Sequence, residues 1–272
     1  MLTLRRLARN LSGIAVVVGL LLLVSLLPPD TSLREVEANG AIRACIPTSY
    51  PPLVTGDPDR PGIDIEILQA VAGFIGVDLL LSPNDAMGRD FNPRNWAITR
   101  ARCQVVAGGV VDSALTRSFL DTGPPYAETG WAILAPVPIE AIDGLTIGAL
   151  TIISGLDRIG LASYLRRHDV TVQVVRSGRQ LVEGIAAGTF DGGVTEALLA
   201  GGLADENGWW LAPVSDELVS YNLVFGLWKG DLTLKRRINR AFRQLDADGT
   251  LAAILERYGA TPLGQGGFVR AR

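Results

Sequence analysis

The chain has 272 residues, of which 48% are hydrophobic and 19% charged, with a formal net charge of −3. That is enough chain for one large or two medium cores, and too apolar for a disordered acidic or basic protein. No long Lys/Arg run occurs after residue 40, which argues against a nucleic-acid footprint.

The N-terminus carries Arg5, Arg6 and Arg9, followed by an uncharged, largely apolar run from Leu11 to Leu27 that ends at Pro28-Pro29. Positive charge followed by hydrophobe is the layout of a secretory signal. The run is also about long enough to span a bilayer. Residues 1–30 therefore read as either a signal peptide or an uncleaved membrane anchor. A small-x-small site stands only at Val36-Glu37-Ala38, well beyond the run. Either way the body is exported, because the positive flank stays cytoplasmic. A buried core helix is the third reading. No Cys follows the run, so no lipid anchor is expected.

In chain order, Ala41–Ile46 reads as a strand, and turn chemistry follows from Pro47 to Pro58. A helix pattern covers 63–76, with Ile67, Leu68, Val71, Ala72 and Ile75 on one face. Asp64 and Glu66 stand in its first turn, where the helix dipole favours acids. Val77–Leu81 is a second strand. A Gly/Pro/Asn-rich link covers 82–95, a short helix is predicted from Trp96 to about Arg102, and Cys103–Ala107 is a third strand. This order implies parallel strands with right-handed crossovers.

The pattern restarts after Pro136-Val137-Pro138. Strands are predicted at 145–149, 170–175 and 190–194, and helices at about 156–167, 180–187 and 197–203. Two such units suggest two lobes. Val219–Trp228 reads as one long strand, Leu234–Leu245 as an amphipathic helix, and Thr250 as the cap of a last helix ending near Tyr258. Residues 262–272 read as a flexible tail.

Cys45 and Cys103 are the only cysteines. In the usual doubly wound order the first strand lies beside the third, which makes the two neighbours. An oxidising exported compartment favours a disulfide, and two buried thiols are the alternative.

Several segments resemble the family 3 solute-binding proteins, the periplasmic receptors of polar amino-acid importers. They are Ser49-Tyr50-Pro51-Pro52-Leu53, Gly62-Ile63-Asp64-Ile65-Glu66-Ile67, Cys103 to Gly109, Asp143 to Gly148, Ala187 to Glu196, and Asp248-Gly249-Thr250 through Gly259. Each is weak alone, but the six share the family's order and spacing from about Gly40 to Gly259. The resemblance implies an α/β, two-lobed, type II periplasmic binding fold, each lobe a doubly wound sheet flanked by helices, joined by a two-strand hinge. Lobe 1 would be 39–126 plus 223–260 and lobe 2 would be 129–219. The implied function is to close around a small amino-acid-like solute and deliver it to the membrane subunits of an ABC importer, as a periplasmic monomer.

By the same resemblance, Arg117 would clamp a ligand carboxylate and Glu196 would receive its ammonium, where the family carries Asp. Tyr50 and Phe91 would stack on the ligand, and the Gly109 backbone would donate to its carboxylate. A family Thr falls on Val111, with Asp112 or Ser113 as substitutes. The family's second-lobe anion nest falls on Thr151-Ile152-Ile153, leaving Ser154 as a possible helix cap for an anion. The bland readings are a surface Arg, a helix-start acid serving the dipole, and core aromatics.

Two other functions remain open. The Cys pair resembles accessory binding proteins of periplasmic quinoprotein dehydrogenases. Ala107-Gly108-Gly109 faintly resembles cyclohexadienyl dehydratases, with Glu196 as a general acid. No convincing second catalytic group accompanies it. The one histidine, His168, falls at a predicted helix end, and no triad, metal or phosphate-loop spacing occurs. The sequence therefore reads as a binding protein, with no enzyme activity, metal or cofactor expected.

Overall fold

The computed structural model describes residues 16–19, 30–87, 93–151 and 156–260. The signal or anchor segment and the tail fall almost wholly outside these residues. Among the described residues no helix is long and apolar enough to cross a membrane.

The first sheet has five strands. β1 (Ala41–Ile46) lies between β2 (Asp78–Pro83) and β3 (Val105–Val106), parallel to both. α1 (Ser32–Asn39) precedes β1, and α2 (Ile63–Ile75) connects β1 to β2. α2 begins after Gly62, whose φ is +113° and whose added Cβ would fall 2.4 Å from the Leu53 carbonyl oxygen. Only glycine allows the helix to start this close to the first loop. Downstream are α3 (Ala114–Phe119) and β4 (Asp121–Thr122).

The chain then runs through β5 (Ala127–Thr129) into β6 (Trp131–Ala135). The second sheet continues with β7 (Thr146–Ala149), α4 (Arg158–Arg167), β8 (Thr171–Val174), α5 (Gly178–Ala186), β9 (Gly192–Glu196), α6 (Ala197–Asn207) and β10 (Trp210–Pro213). β11 (Tyr221–Leu223) returns antiparallel to β5 as a separate two-stranded sheet. β12 (Gly226–Leu227), α7 (Leu232–Ala247) and α8 (Thr250–Arg257) complete the first unit.

The strand orders are β2-β1-β3-β12-β4 and β8-β7-β9-β6-β10. In both, four strands run in one direction and only the fourth strand in the order, β12 or β6, runs against them. In each sheet the fourth strand is the one entered directly from a crossing, β12 after β11 and β6 after β5. Each sheet is therefore mixed rather than wholly parallel.

The segment before β1 is helical, because Val36 packs into the core at 0% exposure while the acids face water. Three local expectations change. The helix expected from Trp96 is a 3₁₀ turn at Pro93–Trp96. The long strand expected at 219–228 divides between two sheets, and Phe225 between its halves is fully buried. Thr250 does not cap α8; the cap position is Gly249, with φ +79° and no side-chain bond.

Cys45 and Cys103 are bonded, with Cα atoms 5.6 Å apart. β1 lies directly against β3, as the expected strand order requires.

Candidate functional site

In open α/β sheets, ligands bind beyond the carboxyl ends of parallel strands. Three such ends converge here: the loop after β1 with Tyr50, the loop after β3 with Gly108 and Gly109, and the end of β9 at Glu196.

Asp64 organises the first-sheet side. Its carboxylate is fully buried in the first turn of α2. Oδ2 accepts from the Gly108 N–H at 2.6 Å and the Gly109 N–H at 3.3 Å, and Oδ1 accepts from the Tyr126 hydroxyl at 2.5 Å. Both glycines have positive φ, +93° and +87°, so their successive N–H groups turn toward one acceptor. Burial pushes Asp64 up to about 6, and the three donors oppose the rise. Tyr126, buried beside it, is held well above its ordinary value, chiefly by burial, and remains a donor at neutral pH.

Glu196 organises the second-sheet side. It is 2% exposed and caps α6, accepting from the Leu198 and Leu199 N–H groups at 3.1 Å each. The Thr129 hydroxyl, on the crossing strand β5, also donates to it. Burial raises its pKa, and Thr129, the two N–H groups and Tyr50 pull the other way. Among the described residues no cationic side chain pairs with either Glu196 or Asp64.

Tyr50 links the two sides. Its phenol faces the Glu196 carboxylate, and burial together with that charge holds it protonated. Its ring lies on Gly109, where an added Cβ would meet Tyr50 Cε1 at 2.3 Å. Pro51 and Pro52 follow Tyr50, and Leu198 and Leu199 follow Glu196. These four, with Asp57 and Arg60, line a groove of about 490 Å³.

Arg117 stands in α3, five residues from Asp112, and grips it with two parallel bonds of 2.6 Å. Ser113 caps α3 between them, accepting from the Thr116 N–H. Val111 bridges Leu223 in the buried crossing region. Phe91 and Ser154 lie outside the described residues.

The structure thus brings Tyr50, Gly109 and Glu196 together and pairs Arg117 with Asp112. Among the described residues no hydrogen bond or ion pair joins Arg117 to Glu196. Sequence reasoning missed Asp64, Tyr126 and Thr129 as members of the network. Asp64 was legible within the Gly62–Ile67 segment but was read only as a helix-dipole acid. Nothing in the sequence singles out Thr129.

The fold and this convergence of strand ends define a two-lobed binding protein. The sequence matches the bacterial extracellular solute-binding proteins, family 3, over residues 42–261, and the chain belongs to that family. A search of curated proteins finds no match. Among solved structures, an ancestral cationic amino acid solute-binding protein aligns with a TM-score of 0.69 at 18% identity, covering 84% of this chain and 99% of its own. A substrate-binding protein of an ABC uptake transporter from Streptococcus pneumoniae, with bound histidine, gives 0.64 at 18%, covering 89% and 99%. An ancestral arginine-binding protein bound to arginine gives 0.63 at 22%, covering 81% and 99%.

Proposed function

We propose that this chain binds a small amino-acid-like solute outside the cytoplasmic membrane and delivers it to an ABC importer. Residues 1–30 serve as export signal or tether. The lobes, 39–126 with 223–260 and 129–219, close about the β5–β11 pair, since two short crossing strands are the segments able to absorb a rotation. Glu196 takes the ligand's cationic end, Tyr50 and Phe91 its body, and Arg117, Gly109 and Ser154 any anionic end.

The observation that carries this reading is Tyr50 of the first unit meeting Glu196 of the second, with Thr129 of the crossing strand bonded to the same carboxylate. One buried group senses both lobes and the connection between them. A cation placed there gains an opposite charge in a desolvated setting, where electrostatic contacts are strong.

A thermal-shift screen of the purified protein against amino acids, their amines and small carboxylates tests this. A ligand at 100 times its Kd stabilises the fold by about 2.7 kcal/mol. Glu196→Gln should abolish that shift, and Arg117→Ala should remove whatever part depends on a ligand carboxylate. A screen with no stabilising compound, or a shift that survives Glu196→Gln unchanged, overturns the reading.

A further inference from the structure

Among the described residues, the buried side-chain atoms with no hydrogen-bond partner are Asp231 Oδ2, Arg237 Nε and Asn239 Oδ1. Such atoms are rare in folded proteins, because each has left water without a bond in return. Asn239, unlike the other two, lines a cavity of about 510 Å³. The cavity lies on the first unit, between α7, α8 and the Thr122–Tyr126 connection from β4 to β5. Its size is that of a small-molecule site. Neither Tyr50 nor Glu196 borders it.

The walls are held in place. The Gly123 N–H donates to the Phe225 carbonyl at 2.8 Å, and the Tyr126 N–H donates to the Leu223 carbonyl at 3.1 Å. The Tyr126 hydroxyl is fixed on Asp64. Phe242 of α7 packs beside the Tyr126 ring, and Leu251 and Leu255 of α8 are buried. These side chains give the cavity an apolar floor. Asn239, Arg243 and Asp246 all line it from α7. Their spacing of four and then three residues sets them in one row on one helix face. Arg243 and Asp246 are exposed, and among the described residues neither has an ion-pair partner.

Each member of the row calls for a different complement. The Arg243 guanidinium suits a carboxylate, which it can grip with two parallel bonds. Asn239 Oδ1 and the Asp246 carboxylate flank it and need a donor, which an ammonium supplies to either one. The floor suits a hydrocarbon body. We propose that this cavity is a second ligand site, separate from the cleft, for a small zwitterion with an apolar body, the chemistry of an aliphatic or aromatic α-amino acid. The proposal stands without the cleft reading. It also gives the unpaired amide oxygen a use, since stability lost at one buried group is a common cost of a binding site.

The test is calorimetric titration of the full chain with L-leucine and L-phenylalanine, and with isoamylamine and phenethylamine, which lack their carboxylates. At least one amino acid is expected to bind, and its amine to bind about 10-fold or more weakly. Arg243→Ala should weaken the amino acid by a similar factor, whereas Glu196→Gln should leave it within about two-fold. Asn239→Leu should also weaken binding, while the urea midpoint of the unliganded protein does not fall, because an unsatisfied acceptor has been replaced by an apolar group. Arg243→Gln serves if the Ala variant does not fold, and circular dichroism checks every variant. No binding by either amino acid overturns the inference, as does binding at wild-type strength in a folded Arg243 variant. Binding lost in Glu196→Gln and kept in Arg243→Ala places the ligand in the cleft, and this inference fails while the cleft reading stands.

Discussion

The Tyr126 hydroxyl donates to Asp64 Oδ1 at 2.5 Å, with both residues buried and 62 positions apart in the chain. Tyr126 immediately precedes the crossing strand β5, and Asp64 holds the N–H groups of Gly108 and Gly109 at the end of β3. One hydrogen bond therefore ties the start of the crossing to the loop after β3.

Tyr126→Phe should remove that tie without opening a large cavity. A buried carboxylate losing one of three donors costs about 1–3 kcal/mol. Equilibrium urea unfolding should show a lower midpoint at unchanged slope. An unchanged midpoint would mean that the hydroxyl contributes nothing net.

Asp64 also sets a pH dependence. Its folded value is about 6, against an ordinary 3.8, so the folded protein holds this proton more tightly than the unfolded chain. The resulting stabilisation is full below about pH 4 and is lost as pH rises through 6. Two units correspond to about 3 kcal/mol. Asp30, lowered to about 2, and Asp112, lowered mainly by its bond to Arg117, act oppositely and lose their contribution as pH falls. Comparison with Asp64→Asn isolates the one group. The stability difference between wild type and variant should shift by about 2 kcal/mol toward the variant between pH 4 and pH 8, measured by denaturant titration. A difference constant with pH would refute the shift.

Much of this fold was legible because its signals are local. The apolar stripe at Ile67, Leu68, Val71, Ala72 and Ile75 needs only a 3.6-residue period, and α2 follows it. Glu196 was singled out by the resemblance of Ala187 to Glu196 to a family segment, with a helix-start acid as the bland reading, and the structure makes it the cap of α6. What was missed depends on distant partners. Thr129 matters only because β6 brings Glu196 beside it through the Trp131–Glu196 register. The strand expected at 219–228 splits because Leu223 pairs with Ala127 while Gly226 pairs with Val106 and Thr122, and no period within the segment encodes two destinations. Asp112 and Arg117 were each read as facing a ligand, although five-residue spacing around a Ser cap lets them satisfy one another.

The Cys45–Cys103 bond links residues 58 apart, closing a loop of that length in the unfolded chain. On the loop-entropy account such a constraint stabilises by about 4 kcal/mol. Both cysteines are fully buried beside Val106 and Leu120, so Cys45→Ala/Cys103→Ala adds a small loss of packing. Unfolding midpoints with and without reductant should differ by an amount of this order in the wild type and not at all in the double variant. Equal midpoints in the wild type would show that the bond does not constrain the unfolded state.

Gly109→Ala tests whether the backbone beneath Tyr50 positions the ring for Glu196. At φ +87° an L side chain is strained by about 1–2 kcal/mol. The new methyl would also meet Tyr50 Cε1 at 2.3 Å and Leu53 Cδ1 at 3.3 Å. The ring can swing away, because its attachment is a flexible side chain, whereas Asp64 keeps the backbone in place. The expected result is a folded protein, less stable by about 1–2 kcal/mol, that has lost the contact between the Tyr50 phenol and Glu196. Loss of ligand binding at least 10-fold beyond that of Tyr50→Phe would show that ring position, not merely the hydroxyl, prepares the site. Binding equal to wild type in Gly109→Ala would place the ligand elsewhere.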